Sequence, residues 1–125
     1  MGGAKRPEEK PDLEPVEINA GQWYLRGLRA DSRIDDRPAL ADLGVIDPDH
    51  VARTAAQWSA DTSYSWAVCE VTTGELLAEV TLNPATGEIT TRGRAGHTHA
   101  ATAAAESVRR FAAAIVVVPE RNSGR

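Results

Sequence analysis

Apolar and polar residues alternate most regularly between Ser63 and Leu82. The run S-Y-S-W-A-V-C-E-V sets Tyr64, Trp66 and Val68 against Ser65, Ala67 and Cys69, the period of two that a pleated strand requires. T-T-G-E follows, then a second β-rich run, L-L-A-E-V-T-L. The stretch predicts a β-hairpin, with Gly74 supplying the positive φ of a short loop. Asn83 to Gly87 (N-P-A-T-G) predicts a second turn, and Glu88 to Thr91 a third strand, completing an antiparallel meander.

The flanks follow other periods. In Val16 to Arg29, alternation predicts one strand from Gln22 to Leu28. Asp31 to Leu43 turns polar and helical, with Pro38 suited to a first turn, Leu40 and Leu43 on one face, and Gly44 suited to the end. Asp47-Pro48-Asp49 predicts a helix start, followed by a stripe of Val51, Ala55 and Trp58 and an end near Ala60. Ala100 to Ala114 has high helix propensity, with Ala101, Ala104, Val108 and Phe111 on the buried side. Ile115-Val116-Val117-Val118 has the composition of a buried strand, which Pro119 ends. The fold class expected is α+β: a mixed, mainly antiparallel sheet of about five strands flanked by helices. One domain spans residues 16–118, between a disordered tail at 1–15 and a frayed end at 119–125.

Composition narrows the functional classes. A formal net charge of -4 argues against nucleic acid as partner, because phosphate neutralisation needs a basic surface. No apolar run has the length of a membrane span and no signal peptide is read at the start, so no membrane association and a cytoplasmic location are expected. Cys69 is the single cysteine and lies mid-strand, where a small buried hydrophobe is expected rather than a nucleophile. With few aromatic residues, alanine and valine must fill much of the core.

Candidate chemistry gathers in the loop from Arg92 to His99 (R-G-R-A-G-H-T-H), where glycines permit a backbone cradle and arginines supply positive charge. His97 and His99 have a spacing available to a metal, but with no carboxylate or thiol nearby no metal is expected. Glu88 suits either a general base or a solvent-facing acid after a turn, and Glu70 and Glu79 are expected to face water. Trp58 and Trp66 are expected to meet in the core.

The order of elements, with Leu25-Arg26-Gly27-Leu28-Arg29-Ala30-Asp31, Tyr64 to Val68 with Thr73 to Leu77, Gly87-Glu88-Ile89, and Ala101 to Ala112, resembles the GCN5-related N-acetyltransferase superfamily in its ribosomal-protein-acetyltransferase-like branch. The likeness implies a partial fold of that kind over residues 17–118, C-terminally truncated because the family's next helix and last two strands have no counterpart. It implies acetyl-CoA as co-substrate, an amine acceptor and direct attack in a ternary complex. Backbone amides at the start of the cofactor helix would hold the pyrophosphate, and two splayed strands would admit the pantetheine arm. Carried onto this chain, the cofactor-binding residues are Arg92, Arg94, Gly96, His97, Thr98, His99, Ala100 and Ala101, and the base is Glu88. The phosphate loop is altered: Gly96 stands where Arg or Gln is usual and His99 where the first glycine is usual. A second reading is a non-catalytic binding or dimerisation module. Residues 115–118 would form an exposed edge strand able to pair with a second copy.

Overall fold

The computed structural model describes residues 15–124, with side chains placed as far as Ile115; the expected tail lies outside this range apart from Pro15. Five strands form one antiparallel sheet in chain order: β1 (Ile18–Ala20), β2 (Trp23–Arg26), β3 (Tyr64–Glu70), β4 (Leu76–Leu82) and β5 (Ile89–Gly93). Helices α1 (Arg37–Asp42) and α2 (His50–Ala60) lie between β2 and β3 in the chain, and α3 (Thr98–Gly124) follows β5. The α+β class and the three-strand meander are as expected.

One strand is added and one assignment changes. The expected strand over Gln22–Leu28 is present as β2, and a further strand, β1, precedes it and makes a hairpin with it, pairing Ile18 to Leu25 and Ala20 to Trp23. Gly21, at φ +75°, makes the two-residue turn between them. The expected strand at Ile115–Val118 is helical, part of the 27 residues of α3. Neither glycine nor a turn separates Ala114 from Ile115, so nothing stops helix propagation into the aliphatic run. Ile115 packs on the same core as Ala104, Val108 and Ala112, continuing their helical spacing. Residues 115–118 therefore form no sheet edge, and dimerisation through such an edge loses its basis.

The two hairpins of the meander close in the same way. Gly74 donates its amide to the Glu70 carbonyl at 2.7 Å, and Gly87 to the Asn83 carbonyl at 2.7 Å. In each, a threonine hydroxyl accepts the amide of the glutamate two residues on: Thr73 from Glu75 and Thr86 from Glu88, both at 3.1 Å. Both turns thus spell Thr-Gly-Glu, and both glycines have positive φ.

Strand β3 is buried on both faces. Trp66 and Val68 join Leu25, Val80 and Leu82 beneath α3, while Ala67 and Cys69 join Leu28, Leu40 and Leu76 on the opposite face with α1. A bulge at Val68/Cys69 pairs Val68 with Ala78 and Cys69 with Leu76, so Leu77 is the extra residue. Trp58, from the last turn of α2, meets Trp66 edge-on at 5.2 Å and stacks on Tyr64 at 4.4 Å, with Phe111 of α3 edge-on to Trp66 at 5.5 Å. The expected Trp58–Trp66 contact is present. The stripe of α2 runs through buried Thr54 and not Ala55, which is exposed.

Helix α3 meets the sheet through Ala100, Ala101, Ala104, Val108 and Ala112, all buried. Small side chains let the helix lie close: a Cβ built at Gly93 would stand 3.6 Å from Cβ of Ala101. This tight seam has little room for added volume. Ala104→Leu should cost about 1–3 kcal/mol of stability through overpacking. Ala113→Leu, on the exposed side of the same helix, should stay within about 0.5 kcal/mol of the parent. Paired urea titrations check both.

Candidate functional site

The loop from Arg92 to Ala101 uses its polar groups internally. Arg92 donates through Nε to Oε1 of Glu79 at 3.1 Å. Arg94 donates to Glu75 at 2.9 Å, to the Leu76 carbonyl at 3.2 Å and to Asp42 at 2.8 Å, tying the start of β4 to the end of α1. Gly96 takes φ +86° in the turn that enters α3, and the His97 carbonyl accepts the amides of Ala100 and Ala101 at 3.1 and 3.4 Å. Thr98 opens the helix and is exposed, as is His99, whose ring meets Trp23 edge-on at 5.4 Å. Ala100 and Ala101 are buried against the sheet. Glu88 is exposed beyond the second hairpin turn, apart from these residues in the fold. The sequence placed most of these side chains near one another along the chain. The fold puts Arg92 and Arg94 into ion pairs, Gly96 and the His97 carbonyl into the turn that enters α3, and Ala100 and Ala101 into the core, and it leaves Glu88, Thr98 and His99 exposed.

Glu79 departs from expectation. It does not face water: its side chain is 2% exposed. The carboxylate lies on the sheet face opposite α3, with His50 Nε2 at 2.7 Å on one oxygen and Arg92 on the other. His50 is the first residue of α2, so this cluster pins the N-terminus of that helix to β4 and β5. A buried carboxylate needs such partners, because an unpaired one carries a large desolvation cost. Glu70, by contrast, is half-buried at the hairpin, and its oxygens accept the hydroxyls of Thr72 and Thr73.

On the same face, toward β2, lies a cavity of about 940 Å³. Its walls include Tyr24, Leu28, Ile34, Ala39, Cys69 and Leu76, and its rim carries Glu17, Arg29, Arg33, Asp35, Glu70 and Glu75. The floor is made by Arg26, the last residue of β2, and Asp36, the residue before α1. Both are buried and joined in a fork, Nη1 to Oδ2 at 2.8 Å and Nη2 to Oδ1 at 2.9 Å. Asp36 Oδ2 also accepts the Arg29 amide at 2.6 Å, and the Asp36 amide returns to the Arg29 carbonyl at 2.8 Å. Gly27 is required where the chain leaves β2: a Cβ there would meet Cγ of Pro15 at 2.5 Å.

Electrostatics in the cavity follow from this burial. The bond to Asp36 raises Arg26 above its ordinary value, keeping the guanidinium charged. Burial pushes the Cys69 thiol up to about 11, so it stays protonated and unreactive near neutrality, as a buried structural cysteine does. Burial, and then the Glu17 carboxylate, raise the Tyr24 phenol as well. In the loop ahead of α1, Asp31 accepts the amides of Ile34 and Arg33 and pairs with Arg29; its carboxyl drops to about 2, chiefly through the Ile34 amide.

Sequence reasoning missed the Arg26–Asp36 pair and the cavity above it. The available signals were an arginine between apolar neighbours at a strand end and an Asp-Asp doublet before a helix. Among the described residues no helix is long and apolar enough to cross a membrane, and no three His, Cys, Asp or Glu side chains gather as a metal set. No family model, no curated protein and no solved structure matches the chain.

Two outcomes follow from the charges at this site. Asp36→Ala leaves a buried guanidinium without its partner and should cost about 3–5 kcal/mol. Asp35→Ala, which removes an exposed carboxylate that holds the Arg37 side chain and amide, should cost far less. Chemical denaturation of the two variants measures the contrast. Asp31, with a carboxyl held near 2 against an ordinary 3.8, stabilises the fold above the ordinary value. That contribution disappears as pH falls through the depressed value, and Asp35 and Asp47, also lowered, act in the same direction. Thermal melts between pH 5 and pH 2 should therefore decline less steeply for Asp31→Asn than for the parent.

Proposed function

We infer that the protein is a non-catalytic binding module whose ligand lies in the cavity between β2, the β3–β4 turn and α1. The observation that carries this reading is the concave space of about 940 Å³ with an apolar wall and a charged rim. Binding sites typically pair mostly apolar walls with a few fixed polar groups. Leu28, Ile34, Ala39 and Leu76 supply the first, and the Arg26–Asp36 fork is the rigid polar element beneath them. Acidic side chains outnumber basic ones along the rim, where Glu17, Asp35, Glu70 and Glu75 stand against Arg29 and Arg33; Asp35 and Glu75 are held by Arg37 and Arg94, so Glu17 and Glu70 carry the attraction for a cation. The ligand class that fits is a short peptide segment with an apolar anchor and flanking cationic groups.

The acetyltransferase reading has less support. Its phosphate cradle requires free cations ahead of α3, and while Thr98 and His99 at the helix start are exposed, Arg92 and Arg94 are both paired. Its pantetheine slot requires a strand where residues 115–118 are helical.

Two titrations test the reading. Peptides of the form apolar–basic, followed by amide chemical shifts, should perturb Tyr24, Leu28, Ala39 and Thr73 together. Ala39→Trp, which fills the cavity, should weaken that binding at least about tenfold. Millimolar acetyl-CoA should leave the melting temperature unchanged, whereas a ligand at 100 times its dissociation constant adds about 2.7 kcal/mol. A rise that vanishes in Arg92→Ala or Arg94→Ala would return the protein to the acetyltransferases.

A further inference from the structure

Strand β5 is the last strand of the sheet, bonded to β4 on one side only. Its register with β4 is unbroken from Leu82↔Ile89 to Ala78↔Gly93. The flanking bonds, Asn83 amide to Glu88 carbonyl and Arg94 amide to Leu77 carbonyl, fix the alternation. Residues 88, 90, 92 and 94 turn their backbone groups toward β4. Ile89 and Thr91 therefore aim theirs away from the sheet.

Natural edges are commonly guarded by proline, by a bulge or by an outward charge. Among the described residues β5 has neither proline nor a register shift, and its one charged side chain is drawn back across the sheet, where Arg92 Nε meets the buried Glu79. The rest of that guanidinium remains accessible, with the side chain 54% exposed.

We propose that two copies of this chain pair along β5, antiparallel about a two-fold axis at Thr90, so that Glu88 of each lies opposite Arg92 of the other. Only registers that match outward-facing residues with one another keep the ladder bonded. Of these, the one centred on Thr90 sets Ile89 against Thr91 twice, giving four backbone hydrogen bonds. It also sets Thr90 against Thr90 and forms two Glu88–Arg92 pairs on the face that carries Glu79. Shifting the centre to Thr91 would set Glu88 against Arg94, which Glu75 and Asp42 already hold, and shifting it to Arg92 would oppose two arginines. Available opposite charge thus selects the register. The same symmetry makes the contact self-complementary and closed. The other edge, β1, has three residues and offers a much shorter ladder. A strand-to-strand contact of this length buries less surface than a permanent dimer does, so the association belongs to the transient class.

Sedimentation equilibrium from about 20 µM to about 1 mM, the range of weak pairs, should show the apparent mass rising toward twice the monomer's. Hydrogen exchange at Ile89 and Thr91 should slow over the same range. Thr91→Pro removes an amide that does not bond β4 and should abolish the rise. Glu88→Arg, at an exposed position, should weaken it about tenfold by opposing like charges. Amide spectra at low concentration establish that both variants keep the fold. A monomer at about 1 mM, the weak end of measurable pairing, overturns the proposal. So does a dimer whose Ile89 and Thr91 amides stay unprotected, or one indifferent to Glu88→Arg. Growth beyond two chains overturns it as well, since that marks β5 pairing head to tail with β1 of the next copy.

Discussion

The buried ion pair between Arg26 and Asp36 decides how the first third of the chain meets the sheet. Arg26 ends β2 and Asp36 precedes α1; between them the chain must turn back over the face that α3 does not cover. The fork fixes both ends of that excursion, and Asp36 adds a return bond in each direction with the Arg29 backbone. The bridge between Ala30 and Asp35 tightens the same loop. A buried pair of this kind is a poor source of net stability, since two hydrophobic residues of equal volume often do as well. Its value lies in geometry. Apolar contacts alone would let α1 slide over Leu28, Leu40 and Leu76, whereas two parallel hydrogen bonds permit one position.

With α1 held, the sheet acquires two unequal faces. Under α3 the layer is closed: Trp66, Val68, Val80 and Leu82 fill the space against a helix whose alanines bring its axis close. The opposite face is covered only in part. Small residues there, Ser65, Ala67 and Cys69, accept α2 and α1 without large gaps, and Glu79 is accommodated because His50 and Arg92 reach it from both sides. Two polar links, one at each end of the helical layer, thus bracket an apolar centre. The cavity beside Arg26 is the space left over β2, because α1, only six residues long, starts at that strand's end and runs toward β4.

What could be read from the sequence was whatever rests on local period and turn chemistry. Both hairpins of the meander, the helix from the Asp-Pro-Asp turn and the buried side of α3 are of this kind. The repeated Thr-Gly-Glu was visible too, though its meaning, one loop geometry used twice, emerges only from the bonds. Composition misled at Ile115–Val118, because β-branched residues favour strands only when something first ends the helix. Period alone also left out β1, three residues long, which Gly21 folds back onto the expected strand at Trp23–Arg26. Arg26–Asp36 and His50–Glu79 join residues on different elements, 10 and 29 positions apart, and no periodicity carries that information. The cavity depends on the first of these pairs and was illegible for the same reason.

The element order that suggests an acetyltransferase when only the sequence is read has a simple physical source. A meander presents an apolar face that must be covered, and the shortest cover is one helix returning from the last strand across the sheet. A helix in that place brings its N-terminus beside the edge strand whether or not a nucleotide is to be held. What separates the two cases is how the loop ahead of the helix disposes of its polar groups. Here both arginines complete internal charges, one on Glu79 and one on Asp42 and Glu75. Freeing Arg92 for a phosphate would leave a carboxylate that is 2% exposed with His50 as its remaining partner. Freeing Arg94 would remove its links from β4 to Glu75, to the Leu76 carbonyl and to Asp42 at the end of α1. The charges that resemble a cofactor site in the sequence are thus spent on holding the helical layer to the sheet, and the open concave surface lies where that layer stops.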